Sequence, residues 1–410
     1  GGGESGHRNK MAVQMRISAL LLCFLVIAGI AEGHTEVEDA PMQKMHQRWM
    51  AKYGRSYTSP LEKALRFRIF KANVERINHL NSLRRGFTLG INQFTDITDE
   101  EFEQSYLGLQ LPSPPRQLAS PPPSPPPPRR PPPPPPRSPP PPPPRSPPPP
   151  PPRSPPPPPP RSPPPPPPRS PPPPPPRSPP PPPPKSPPPP VKIIPDSVDW
   201  RNFSALNPIK NQGKCGSCWA FASVATMEAF IKIKTGNLIS LSEQELVDCD
   251  TYDTGCNGGI MDSAFDWIIK NKGLNTDTNY PYTAVAGPCN TTASSVSAAS
   301  ITKYAYVSVN NEAALKAAVA IQPVSVALEG AGFDFKHYKS GVFNGTCGFS
   351  INHAVVAIGY GVTSDNTKYW ILRNSWGTLW GEGGYMKMAR DYSDSRGLCA
   401  VATYPVYVTA

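Results

Sequence analysis

The stretch NQGKCGSCWAF, residues 211–221, sets Cys215 and Cys218 three positions apart, just ahead of Trp219 and Phe221. Three chemistries share that spacing: a redox couple, half of a zinc site, or a bridge cysteine beside a reactive one. Context discriminates. Structural zinc takes four ligands, and between residues 194 and 410 there is no second close pair of cysteines or histidines; His337 and His353 lie sixteen apart. A redox couple of the thioredoxin kind follows a strand, whereas this pair follows the loop-like NPIKNQGK, 207–214.

Downstream, WAFASVATMEAFIKIKTG, 219–236, places Phe221, Val224, Phe230 and Ile231 at helical spacing and stops at Gly236. Cys218 therefore opens a helix, where the macrodipole favours a thiolate. The same segment of the chain holds Cys215, Cys218, Cys249, Cys256, Cys289, Cys347 and Cys399, while Cys23 stands far upstream. In a secreted domain six of seven pair, and the one left over is intermolecular or reactive. A nucleophilic cysteine needs a base. His353, in INHAVVAIGYG (351–361), enters a strand-like apolar run and is the candidate; His337, in the polar FDFKHYKSG (333–341), reads as a surface residue. Asn374, beyond another strand-like run in WILRNSWGTLWG (370–381), is placed to orient the imidazole or, failing that, to make a turn.

The rest of the 410 residues divides by composition. Residues 1–10 read as sequence upstream of a natural start at Met11. Residues 17–31, an apolar run behind Arg16, are too short to span a bilayer, which takes about 20 residues, and fit a secretory signal occupying 11–33, cut after Ala31 or Gly33. Once it is removed no membrane segment is expected, and the route is oxidising. From 112 to 193 the chain is proline-rich, with seven octads over 131–186, six PPPPPPRS and one PPPPPPKS. Such a run has almost no backbone donors, so a disordered, polyproline II linker is expected. At about 3.1 Å per residue a straight rod of this length overshoots any domain, so it bends at its Arg-Ser steps or lets the upstream unit dissociate readily. Residues 1–111 carry 14 basic and 12 acidic groups, 112–193 carry 11 and none, and 194–410 carry 16 and 18. The basicity belongs to the linker. No folded basic face exists to read nucleic acid, and an anionic cell-wall polymer is a better partner for the linker, with simple solubilisation the plainer reading.

Taken in order, IPDSVDWR (194–201), the Cys-Gly-Ser-Cys-Trp block, GCNGG (255–259), QPVSVALEG (322–330), INHAV, RNSWGTLWGEGGY (373–385) and GLC (397–399) resemble the papain family of cysteine proteases. The resemblance covers 194–410 and implies a two-lobed α+β fold, with a helical left lobe carrying Cys218 and an antiparallel right lobe carrying His353 and Asn374. It implies Cys218 as nucleophile, His353 as general base and acid, Asn374 as the group fixing the imidazole, Gln212 as oxyanion donor and Trp376 as the indole shielding the His-Asn contact. It also implies disulfides Cys215–Cys256, Cys249–Cys289 and Cys347–Cys399, one of fifteen pairings that spacing leaves open. Gly259 would hold substrate backbone, and Ile260, Met261, Ala327 and Ile351 would line an apolar pocket for the residue two before the cut. The ending CAVATYPVYV is shorter than the family's, which leaves open whether Tyr404 reaches that pocket. Asn352 stands beside the base where papain has an acid.

Upstream, Glu62, Arg66, Phe70, Asn73, Ile77 and Asn81 match the ERFNIN pattern of the family's inhibitory prodomain, and Gly90, Asn92, Phe94 and Asp96 match its GxNxFxD. On the residues alone this is an amphipathic helix with a polar tail; the resemblance makes 34–111 a helical inhibitor of its own enzyme. Ser242 and Glu245 in LSEQELVDC read as a capping box, and VSVAL, AVVAIGYG, KYWILR and YMKMA read as strands. The expected protein is a monomeric thiol endopeptidase, made as a zymogen, needing no cofactor or metal, acting on peptides and proteins, and matured at acid pH near Ile194. Its expected compartment is extracellular, cell-wall or vacuolar, with sequons at Asn202, Asn290 and Asn344. The competing expectation is an inert papain-like unit on a hydroxyproline-rich structural wall protein.

Overall fold

The structure, a computed structural model, describes residues 39–111 and 194–409. The expected signal at 11–33, Cys23 and the linker at 112–193 lie outside the described residues.

The N-terminal part consists of α1 (residues 39–53), α2 (Pro60–Ser82), β1 (Phe87–Leu89) and α3 (Asp99–Tyr106). The Ser59 hydroxyl caps α2 by accepting from Glu62 N, and Pro60 sits where its missing N–H costs nothing. Phe70, Val74 and Ile77, on one stripe of α2, are buried, the first two with Trp49 of α1. The matched asparagines fix the chain that follows: Asn73 donates to the carbonyls of Thr95 (2.9 Å) and Ile97, and Asn81 both donates to Leu89 O and accepts from its N–H. At α3 a complete capping box forms between Thr98 and Glu101.

From Ile194 onward come β2 (Val198–Asp199), α4 (Cys218–Thr235), α5 (Glu243–Cys249), α6 (Met261–Asn271), α7 (Thr291–Ser294), β3 (Lys303–Tyr306), α8 (Glu312–Val319), β4 (Val324–Leu328), α9 (Phe333–Lys336), β5 (Tyr338–Phe343), β6 (His353–Val362), β7 (Lys368–Arg373), β8 (Tyr385–Ala389) and β9 (Val406–Thr409). The strands form one sheet in the order β1-β5-β8-β7-β6-β4-β9-β3, with β2 also pairing β6. The expected antiparallel pairing holds except between β5 and β8, which run parallel. Strand β1 of the N-terminal part covers the free edge of β5.

Two hydrophobic cores meet across β6. Ala354, Val356 and Ile358 point into the one shared with α4 and α6, while Val355, Ala357 and Tyr360 point into the other with β5, β7 and β8. That is why β6 is apolar at nearly every position: a strand buried on both faces cannot alternate. Helix α4 is buried almost all round from Cys218 to Phe230, and Gly236, at φ 80°, ends it in the left-handed conformation. At α5 only half of the expected capping box exists. Ser242 accepts from Glu245 N, but the Glu245 carboxylate turns away to Asn275 N (2.7 Å) and Ser294, because Ser242 N already bonds Asn275 O.

Candidate active site

Sulfur–sulfur bonds join Cys215 to Cys256, Cys249 to Cys289 and Cys347 to Cys399, leaving Cys218 the free cysteine of the described residues. The first bridge ties the loop before α4 to the GCNGG turn, so it fixes where the helix begins. At that beginning Ser217 makes no side-chain cap to the helix; its hydroxyl meets Tyr282 instead (2.7 Å). The first N–H groups of α4 therefore stay directed at the Cys218 sulfur, which also faces the N–H of Ala354, the residue after His353.

His353 opens β6 and Asn374 follows β7, neighbouring strands of one sheet, and the register brings His353 Nε2 to 2.9 Å from Asn374 Oδ1. Ser375 N–H, which can only donate, bonds the same Oδ1 at 2.8 Å, so that atom is the oxygen and Nε2 carries the hydrogen. The other ring nitrogen, Nδ1, is buried and has no hydrogen-bond partner among the described residues. Trp376 stacks on the imidazole with ring centres 4.5 Å apart and is itself 1 % exposed, so water cannot reach the His-Asn bond from that side. Gln212 is fully buried, its Oε1 held by Ser375 Oγ (2.7 Å), which aims its Nε2 forward.

The N-terminal part closes this arrangement. Residues 106–111 run through it: Gln212 Nε2 donates to Tyr106 O (3.0 Å), Gly259 N to Gly108 O (2.9 Å), Leu109 N to Asn352 O (3.1 Å) and Gln110 N to Gly259 O (3.0 Å). The Gly108 backbone faces the Cys218 sulfur, and Leu109 is buried in the apolar cluster that holds Ile260, Met261 and Ala327, with Ile351 packed against it. Phe94 and Phe102 meet Trp376 edge-on at 5.4 and 5.2 Å. Arg85 clasps Asp334, and the fully buried Lys336 reaches Asp99 of α3.

Two expectations change. The thiol is not held as the thiolate that the helix start favours: it is fully buried, and burial pushes it up to about 11 while pushing the His353 imidazole down to about 4, so both are neutral under this cover. His337 is not on the surface either; it is 0 % exposed, beneath the Phe333 ring, with its carbonyl accepting from Gly90 N. Its polar neighbourhood in sequence hid the fact that the N-terminal part covers that face. Tyr404 is buried with its hydroxyl donating to Asp262 Oδ2 (2.9 Å), beside Met261. Asn202, Asn290 and Asn344 are exposed, though Asn290 Oδ1 caps α7. Sequence reasoning missed Ser375, Tyr282 and the 106–111 segment. Ser375 was marked only by adjacency to Asn374, and LGLQL carried no mark.

Residues 194–409 match the model of the papain family cysteine protease, and residues 46–102 match the cathepsin propeptide inhibitor domain. The chain belongs to the papain family of cysteine proteases. The protease is 42% identical over 394 residues to senescence-specific cysteine protease SAG39 of Oryza sativa subsp. japonica, covering 96% of this chain and 97% of that one. It is 41% identical to ananain of Ananas comosus, with coverage of 97% and 96%. Its structure resembles a recombinant stem bromelain precursor with a TM-score of 0.68 at 38% identity, covering 90% of this chain and 99% of that one. It is a cysteine endopeptidase with its own inhibitory prodomain, that is, a zymogen, and the inert wall-protein reading is not favoured.

Proposed function

We propose that Cys218, His353 and Asn374 are the catalytic residues and that hydrolysis passes through an acyl-enzyme. The observation that carries this is the Nδ1 of His353, unpartnered among the described residues, on a ring whose Nε2–H is fixed on Asn374 while the neighbouring Ala354 N–H faces the free sulfur of Cys218. The Cys218 proton passes to Nδ1, and the thiolate attacks the substrate carbonyl carbon. Gln212 Nε2 and the Cys218 N–H hold the resulting oxyanion; removing one such donor typically costs about 2.7–4 kcal/mol of activation. The imidazolium then protonates the leaving amine, and the same nitrogen deprotonates a water that cleaves the thioester.

Gly259 would take the substrate backbone. Ile260, Met261, Ala327 and Ile351 would surround a bulky apolar side chain two before the cut, a preference supported by Leu109 of the prodomain lying in that same cluster. The prodomain takes the oxyanion donor and both backbone groups of Gly259, so the precursor is inactive until acid loosens it and cleavage occurs between 111 and Ile194. The apolar run at 17–31 supports entry to the secretory pathway, toward the cell exterior or vacuole, as a monomer with glycans on exposed sequons; a wall polymer is a partner proposed for the basic linker. Among the described residues no helix is long and apolar enough to cross a membrane.

The test is an acid-treated precursor assayed with a fluorogenic Leu- or Phe-containing peptide and a thiol-reactive epoxide. Turnover, with labelling confined to Cys218 and lost in Cys218→Ser, is expected. Labelling without turnover, or turnover in the Ser variant, refutes it.

A further inference from the structure

Behind the Gly258–Ile260 turn lie two carboxyl groups that the catalytic scheme does not use. Asp250 ends α5, and its Oδ1 accepts from Tyr252 N at 2.8 Å; Asp253, three residues on, has Oδ1 accepting from Ile260 N at 3.0 Å. The remaining oxygens, Asp250 Oδ2 and Asp253 Oδ2, are buried and meet no donor among the described residues, and the two side chains lie within hydrogen-bond reach of each other. Two buried carboxylates in such contact cannot both be charged without a large penalty, so one proton must lie between them. Asp253 is also in direct contact with the turn: a Cβ on Gly259 would fall 2.7 Å from its Cβ and Cγ and 2.6 Å from the Trp219 indole. Gly259 therefore rests on the Asp253 side chain, and its own N–H and C=O are the groups engaged by Gly108 and Gln110. Thr254 N and Oγ1, both 2.8 Å from Gly258 O, complete the support.

We propose that Asp250 and Asp253 form a proton-sharing carboxyl pair that sets the position of Gly259, which makes Asp253 a positioning residue for the peptide backbone bound there. This rests on the reading that substrate occupies the place the prodomain holds here. Burial raises both carboxyls above their ordinary range; Asp250 raises Asp253 further, while the contact with Asp253 draws Asp250 back down, so the shared proton resides on Asp253. The other charges facing the pair come from α6: Asp266 toward Asp250 and Asp262 toward Asp253, both of the same sign, with Lys270 of that helix over the Tyr252 ring at 5.1 Å. As pH climbs past the raised values, the shared proton leaves to solvent, the two anions repel, and Asp253 moves from beneath Gly259. Substrate binding weakens while the Cys218 and His353 chemistry is untouched, so the effect falls on KM and not on kcat.

The experiment follows KM and kcat against pH for wild type, Asp253→Asn and Asp253→Ala, each prepared as the full-length precursor, acid-matured, and counted by epoxide titration of Cys218. Asparagine keeps an oxygen for Ile260 N–H and gives Asp250 a permanent donor, so the alkaline rise in KM seen in wild type, roughly three- to ten-fold for the loss of one hydrogen bond, is expected to flatten. Alanine is expected to raise KM at every pH. An unchanged alkaline rise in Asp253→Asn, or a change carried by kcat, overturns the proposal. If the Asp253 variants do not fold, carboxyl-stretch infrared spectra of the wild-type and Asp250→Asn precursors decide: a protonated-carboxyl band near neutral pH that Asp250→Asn shifts or removes supports the pair, and no such band, or one that the substitution leaves untouched, as the buried Glu243 would give, overturns it. Absence of peptide turnover alongside a persistent band defeats the proposed function and leaves the pair standing.

Discussion

Gly108 is the residue on which inhibition turns most sharply. A Cβ there would lie 1.8 Å from Gly216 O, a backbone atom of the loop held by the Cys215–Cys256 bridge, and neither side has a flexible group to give way. Gly108→Ala is therefore expected to lift 106–111 out of the cleft without disturbing α2 or the sheet. The precursor should then be labelled at Cys218 by the epoxide at neutral pH many times faster than wild type; equal labelling rates would show that the cleft opens for other reasons. Wild-type precursor should label slowly across neutral pH, because burial holds thiol and imidazole both neutral and no thiolate is presented. Gln212 has two duties, donating to Tyr106 O in the precursor and, as proposed, to the oxyanion in turnover. Gln212→Ala should lower kcat by about 10²–10³ with KM little moved, read from initial rates on the matured enzyme. A loss confined to KM would remove Gln212 from the oxyanion role.

At the scale of elements, β6 ties the two cores together, and its two faces can be tested separately. Ile358 is fully buried on the α4 side and belongs to no catalytic contact. Ile358→Ala should cost about 2–5 kcal/mol of unfolding free energy, seen in denaturant titration, with a single transition because the strand serves both lobes. Two separated transitions would show that the lobes unfold independently. The existence of β4, β6, β7, β8 and α4 was legible from apolar runs and the Gly236 stop, since each is decided by burial or by a single glycine. What sequence could not supply was pairing. The parallel β5–β8 contact, the diversion of Glu245 from its cap to Asn275, and the cover that β1 gives to β5 all depend on residues far apart in the chain. As candidates, Cys218, His353 and Asn374 were legible from the odd cysteine at a helix start and from the family resemblance, and the structure puts His353 in hydrogen-bond contact with Asn374; Ser375 and the Asp250–Asp253 pair were not legible, because nothing in a local window shows which hydroxyl or carboxyl will face another.

On the scale of the whole molecule, the acid opening of prodomain from enzyme proposed above has a physical route in the face around His337. His337 is fully buried with both ring nitrogens unpartnered among the described residues, and burial first, then the Lys336 charge, hold its pKa well below the ordinary imidazole value. Arg76 of α2 adds positive charge from the prodomain side, and the carboxylate facing this group, Asp99 of α3, is already shared between Lys336 and, at 3.7 Å, Arg76. Gly90 closes over the His337 carbonyl. While the prodomain is seated, the imidazole stays neutral; once it withdraws, His337 can take a proton near the ordinary value of about 6.5. Above that pH neither state holds the proton and the residue contributes nothing. Below it the open state binds a proton that the closed state refuses, so closure weakens steadily as pH falls toward the depressed value of the closed form. His337→Leu removes this term, so in a Cys218→Ser background, where no cleavage interferes, prodomain opening followed by Trp fluorescence should need a lower pH than in His337-containing precursor. Asp99→Asn should shift opening the other way, to higher pH, because it leaves the buried Lys336 without its carboxylate. An opening midpoint that ignores His337→Leu but follows Asp99→Asn would assign the acid response to carboxylate protonation at the two ion pairs and not to crowding of cations around one buried imidazole.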